Sequence, residues 1–142
     1  MIGTWVAGAC AVALSLGAGY RMLTRRLIVV TVRGLSMLPT YNPGDRVLVR
    51  RGTEPARGEV VVVESPAAMR SSEDTGDRWL IKRAVAVAGD RVDEESRAGV
   101  RGEIVPPGML FLLGDNRKLS MDSRQIGYFS TRQLLGTVWF RL

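Results

Sequence analysis

Two side chains in this chain could form a proton-transfer pair, the hydroxyl of Ser36 and the amine of Lys82. There is no histidine, so a Ser-His-Asp triad, a Cys-His dyad and any zinc site built on imidazole are excluded. Of the 20 basic residues only Lys82 and Lys118 are lysines; the rest are arginines. Arginine stays protonated at physiological pH, whereas a lysine in an apolar setting can shed its proton. A neutral amine is a competent general base, and a serine hydroxyl that it deprotonates can attack a carbonyl.

Each residue also has a blander reading. Lys82 lies in WLIKRAVAV. On a strand, Leu80, Lys82, Ala84 and Ala86 would share one face and Trp79, Ile81, Arg83 and Val85 the other. Lys82 then has apolar neighbours along its own face, and burial there would lower its pKa. An edge lysine reaching for water is the commoner case. Ser36 follows an apolar run through Arg33-Gly34-Leu35 and precedes Met37-Leu38-Pro39-Thr40. Gly34 lets a backbone approach closely, yet a serine at that place is equally an ordinary turn residue. A third stretch, GDNRKLSMDSR over residues 114–124, gathers carboxylates, hydroxyls and arginines, as a polar surface loop also would. Asp74-Thr75-Gly76 matches the aspartic-protease triplet, but it sits in a polar loop with no second copy and reads as a turn.

The elements that must position these residues are short strands. Residues 27–32 (LIVVTV), 47–50, 59–64 (EVVVVE), 79–87, 109–113 (MLFLL) and 137–142 (TVWFRL) are apolar or β-branched and are bounded by Gly, Pro, Asn and Asp. That pattern predicts a mainly β domain, with one helical turn over 132–135. Residues 2–20 carry no charge. As a helix they would span roughly 28 Å, about one hydrocarbon core. The segment reads as a membrane anchor in preference to a cleaved leader, since no basic residue precedes it, or to a buried soluble helix. The lone Cys10 lies inside it and builds neither a disulfide nor a metal site. Arg21, Arg25 and Arg26 follow the anchor, and the positive-inside rule would keep the rest of the chain in the cytoplasm. A net charge of +6 suits nucleic acid or anionic lipid. The arginines are scattered, however, and no recognition helix or stacking platform accompanies them, so nucleic acid is not an expected partner.

Taken together and in order, these pieces resemble type I signal peptidases. Ser36-Met37-Leu38-Pro39-Thr40 is similar to that family's S-M-x-P-T box, and Gly44-Asp45-Arg46-Val47-Leu48-Val49 to the box that follows it. Lys82-Arg83 with Gly89-Asp90 resembles the lysine box. Gly114-Asp115-Asn116, Ser120, Asp122-Ser123-Arg124 and Gly127 resemble the last box. The resemblance covers roughly residues 20–142. It implies a signal-peptidase-like β fold, with an anchor at residues 1–22 and a catalytic domain at 23–142. It implies Ser36 as nucleophile and Lys82 as base, with Ser120 orienting the amine and the Ser36 N–H in the oxyanion hole. Some relatives carry a hydroxyl two residues before the nucleophile; here that position is Gly34. Arg83, Asp115, Asp122 and Arg124 would be structural, bracing the lysine strand against the last box. Only 31 residues separate Lys82 from Gly114, which resembles a minimal form of the Gram-positive or inner-membrane kind.

The implied activity is removal of N-terminal signal peptides from exported preproteins after small residues (Ala-x-Ala), through an acyl-enzyme. No cofactor or metal is expected. Expected partners are preprotein signal peptides and membrane lipid, close to the secretion translocon. The implied place is the cytoplasmic (inner) membrane, single-pass, with the catalytic domain outside the cytoplasm, against the arginine asymmetry. Three other readings stand beside it: a maturation protease with one dedicated client, a self-cleaving Ser-Lys regulator for which Ala98-Gly99 offers a cleavage dipeptide, and an inactive membrane protein that only docks signal peptides.

Overall fold

The computed structural model describes residues 26–66, 78–97 and 100–142. The expected anchor, Cys10, the Asp74-Thr75-Gly76 triplet and the Ala98-Gly99 dipeptide lie outside the described residues. No helix among the described residues is long and apolar enough to cross a membrane.

The described residues form strands β1 (Leu27–Thr31), β2 (Arg46–Arg51), β3 (Val60–Glu64), β4 (Trp79–Val87), β5 (Met109–Leu113), β6 (Phe129–Ser130) and β7 (Leu134–Arg141). They make one antiparallel sheet in the order β1-β2-β7-β3-β4-β5-β6. A short α-helix, α1 (Ser123–Ile126), packs against β5. The mainly β expectation therefore holds.

β7 is the keystone, because it joins the β1–β2 hairpin to the β3–β6 meander. It begins three residues before the expected strand. Gly136 hides it from a sequence reading, since glycine weakens a strand pattern. A Cβ at Gly136 would lie 2.2 Å from the carbonyl oxygen of Arg50, so the close β2–β7 approach requires that glycine. The expected turn at 132–135 is a 3-10 turn over Thr131–Gln133.

The four valines of β3 bury both faces of the sheet. Val60 and Val62 join Val32, Met37, Val47, Val49 and Ile81 in one core cluster; Val61 and Val63 join Ala84, Leu110, Leu112 and Phe129 in another. A strand covered on both sides loses the polar alternation of a half-exposed one. A third cluster sets Ala86, Phe111 and Leu113 against Val92 and Val105. Ala86 corrects the face expected for it. Ala84 pairs with Leu112 and Ala86 with Phe111, so Val85 is an extra residue, a β-bulge. Past the bulge the alternation inverts, and Ala86 packs on the side opposite Ala84.

Candidate active site

Ser36 sits in the connection between β1 and β2. Gly34 has φ of +73°, a conformation that glycine adopts without penalty. Met37 is fully buried in the first core cluster and Tyr41 packs on it, while Tyr41 N–H donates to the Met37 carbonyl at 2.9 Å. These anchors leave Ser36 half-buried between exposed Leu35 and buried Met37. The Ser36 N–H and hydroxyl make no hydrogen bond to any described residue. Only its carbonyl is engaged, accepting from Asn116 N–H at 2.9 Å.

Lys82 occupies the middle of β4, opposite Val61, with Leu80 and Ala84 on either side along its face. It is 3% exposed and has neither a salt bridge nor a hydrogen bond to a described residue. Burial pushes its amine down from 10.5 to about 8, and the negative charge of Asp122 opposes that only in part. At pH 7 about a tenth of the molecules then hold a neutral amine there. Ser36 and Lys82 are not hydrogen-bonded to each other, and apo catalytic contacts are often longer than those made with substrate in place.

Gly114 is where Ser36 and Ser120 meet. A Cβ on Gly114 would lie 2.2 Å from Ser120 Oγ and 2.6 Å from the Ser36 carbonyl oxygen. The missing side chain therefore lets Ser36 and Ser120 close on one point. The Gly114 N–H donates to Asp122 Oδ2 at 3.0 Å, and Asp122 is the carboxylate whose charge acts on Lys82. Ser120 is buried, and its Oγ has no hydrogen-bond partner. It lies close enough to Asp122 to help hold that carboxyl down, though not in hydrogen-bonding alignment.

Two ion pairs frame this point. Asp122, fully buried, caps α1 in a reciprocal box with Gln125. Burial pushes its carboxyl up, but hydrogen bonds from Arg124 and from Gly114 N–H outweigh burial and keep it below the ordinary value. Arg124 Nε reaches Asp122 Oδ1 at 2.8 Å, and Nη2 also reaches the Arg117 carbonyl at 2.8 Å. Arg83, next to Lys82 but on the other face, grips Asp115 with two prongs, Nε to Oδ1 at 2.8 Å and Nη2 to Oδ2 at 2.6 Å. The Thr40 hydroxyl donates to the same carboxylate, and Arg83 Nη1 donates to the Gly58 carbonyl at 2.8 Å.

The structure thus places Arg83 with Asp115 and Arg124 with Asp122 as separate pairs. Gly34 stands apart from both. Thr40, Gly114, Asn116 and Gln125 were given no role from the sequence. The threonine closes the S-M-x-P-T box, and the Asp122-x-x-Gln125 spacing is the signature of a capping box; either could have flagged its residue. Met37, beside Ser36 in sequence, and Ala84, beside Lys82 along its face, are core residues.

Comparison with known proteins follows the same lines. The chain matches the family described as signal peptidase, peptidase S26, over residues 3–98 and 93–142. It is 28% identical to a probable signal peptidase I-1 of Synechocystis, covering 75% of this chain and 66% of that one. It is 31% identical to the mitochondrial ATP-independent inner membrane protease subunit 1b of Arabidopsis thaliana, covering 77% and 66%. It is 29% identical to signal peptidase I of Bacillus caldolyticus, covering 96% and 87%. The chain thus spans slightly under two thirds of the first two relatives' lengths. Match and geometry together carry one conclusion: the chain belongs to the signal peptidase family, peptidase S26, a family of serine endopeptidases.

Proposed function

We propose that this chain is a membrane-bound serine endopeptidase that removes signal peptides from exported preproteins after small residues. The observation that carries the reading is Lys82, a fully buried amine without an ion-pair partner, pushed down to about 8. A structural lysine gains nothing from such a site, whereas a general base needs it. Neutral Lys82 takes the Ser36 hydroxyl proton as Oγ attacks the scissile carbonyl. The unengaged Ser36 N–H donates to the oxyanion, and protonated Lys82 returns its proton to the leaving amine. Water, deprotonated by the same amine, then releases the acyl group from Ser36. Ser120 Oγ, buried and unpartnered, would accept from the Lys82 ammonium and orient it. The Arg83–Asp115 and Arg124–Asp122 pairs brace the strand and the loop.

Residues 2–20 would anchor the chain in the cytoplasmic membrane, with the catalytic domain on the far side, where preproteins emerge near lipid and translocon. Incubation of the full chain with a preprotein bearing Ala-x-Ala, followed by N-terminal sequencing of the product, tests the reading. One new N-terminus directly after the second alanine is expected; an uncut preprotein would overturn it.

A further inference from the structure

The face of β4 and β5 turned away from Lys82 holds a cavity of about 250 Å³. Its floor is apolar and includes Phe111 and Leu113 of β5, both fully buried. Leu113 pairs with Arg83, which puts this floor on the side opposite Lys82. Its lining also includes three arginines, Arg57, Arg91 and Arg117, against a single acidic residue, Asp93. Arg91 is engaged with Glu103 at 3.3 Å. Arg57 and Arg117 have no hydrogen bond or salt bridge from their side chains to any described residue.

Lone surface arginines are ordinarily just solvated. Here Arg57 and Arg117 line one cavity with a buried apolar floor, where a bound anion is partly withdrawn from water and feels their charge more strongly. With Arg91 held by Glu103, Arg57 and Arg117 remain against Asp93, a net positive charge that favours an anion. A phosphate group carries up to two charges and several acceptor oxygens, which match the guanidinium fork. The apolar floor accommodates a carbon group attached to it. The cavity also adjoins the brace of the candidate active site. Gly58, whose carbonyl holds Arg83, lines it, and the Arg117 charge helps to hold the Asp115 carboxyl below its ordinary value.

We propose that this cavity is a binding site for a phosphate-bearing ligand, separate from the peptidase centre. The phosphate could belong to a lipid headgroup or to a free phosphate. Calorimetric titration of the full chain in uncharged detergent distinguishes the two, with inorganic phosphate in one arm and dihexanoyl phosphatidylglycerol in the other, at fixed ionic strength. Saturable one-site binding of at least one probe is expected. Arg57→Ala and Arg117→Ala should each weaken it about tenfold or more. Arg132→Ala, an exposed arginine away from the cavity, should leave it unchanged. Tighter binding of the lipid assigns the headgroup, and tighter binding of inorganic phosphate assigns the free ion. Failure of both probes to saturate would overturn the proposal. So would binding that survives loss of Arg57 and Arg117, or that Arg132→Ala weakens equally. Arg57 and Arg117 are exposed, so the variants should fold, and circular dichroism checks that they do. Peptidase activity plays no part in the readout, so failure here leaves the proposed function untouched.

Discussion

Asn116 donates its backbone N–H to the carbonyl oxygen of Ser36 at 2.9 Å. The loop after β5 thereby holds the loop after β1, two segments far apart in the chain. The bond fixes the peptide plane that follows Ser36, while the N–H and hydroxyl of Ser36 itself stay unengaged. Thr40 and Asp115 tie the same two loops a second time, and Arg83 ties Asp115 to the strand of Lys82. The loop of Ser36 is thus tied to the strand of Lys82 through backbone and ion-pair contacts, none of which uses the reactive atoms of either residue.

Gly114→Ala should cut activity about 100-fold. Its new Cβ would meet Ser120 Oγ at 2.2 Å and the Ser36 carbonyl at 2.6 Å, and a backbone atom cannot rotate away. Overpacking of this kind costs about 1–3 kcal/mol of stability, and a shift of about 1 Å at a nucleophile costs roughly 100-fold in rate. Turnover measured alongside thermal unfolding checks this. A folded Gly114→Ala with wild-type turnover would mean that the Ser36 loop does not need the close approach.

Much of this was legible in the sequence, and the exceptions have physical causes. β4 and β5 were read to the residue because turn formers bound both runs. β6 was missed because two residues carry no period. The place of Ala86 was misjudged because a bulge is a property of pairing, invisible in one strand. The burial of Met37 was not legible, because sequence places it beside Ser36 but does not say which side of the loop turns inward. Lys82 was legible as a candidate base from its neighbours along the strand. The Asp122 charge facing it was not, because a loop folds that carboxylate back from a distant part of the chain.

Ser36→Ala and Lys82→Met should each reduce turnover by about 10⁴-fold or more, and the double variant should be no worse than either, since the members of such a unit act together. Lys82→Arg should be equally inactive, because arginine cannot supply a neutral base at pH 7. Steady-state cleavage of a signal-peptide substrate gives the answer. An active arginine variant would make Lys82 an electrostatic residue and overturn the proposed mechanism.

The lowered Lys82 pKa predicts two pH dependences. Cleavage needs the neutral amine, so kcat/KM should rise with pH and level off above about 8. Stability behaves differently. With the folded pKa near 8 and the unfolded one at 10.5, the unfolded chain holds the extra proton between those values, and stability at this site rises with pH across that window. Below the window the full penalty applies, about 3 kcal/mol for a group this buried. Lys82→Met should therefore stabilise the fold at neutral pH and lose that advantage near pH 10.5. Denaturant titrations at pH 7 and 10.5 measure the difference. An equal effect at both would show that the amine titrates normally in the folded chain.

The proposed topology puts residues 27–142 outside the cytoplasm, against the arginines that follow the expected anchor. Protease added to intact spheroplasts should then digest the catalytic domain. Protection until the membrane is lysed would support the charge rule and contradict the proposed function.

Substrate choice should be steric. A peptide laid in extended form beside a strand gains affinity from main-chain hydrogen bonds, while its alternate side chains, at −1 and −3, enter pockets and set specificity. The −2 side chain points away. Of the apolar residues near the nucleophile, Leu35 is exposed and Leu38 and Leu80 are partly so, which leaves them free to form shallow walls. Met37 and Ala84 are buried in two separate core clusters and are not free to line a pocket. Small residues at −1 and −3 should therefore be cut, typically alanine, and a bulky residue at −1 should cost far more than the same residue at −2. A peptide series varied at −1, −2 and −3 and read as relative kcat/KM makes the comparison. Equal cleavage after Phe or Arg at −1 would be incompatible with a signal peptidase of this kind, whatever the state of Ser36 and Lys82.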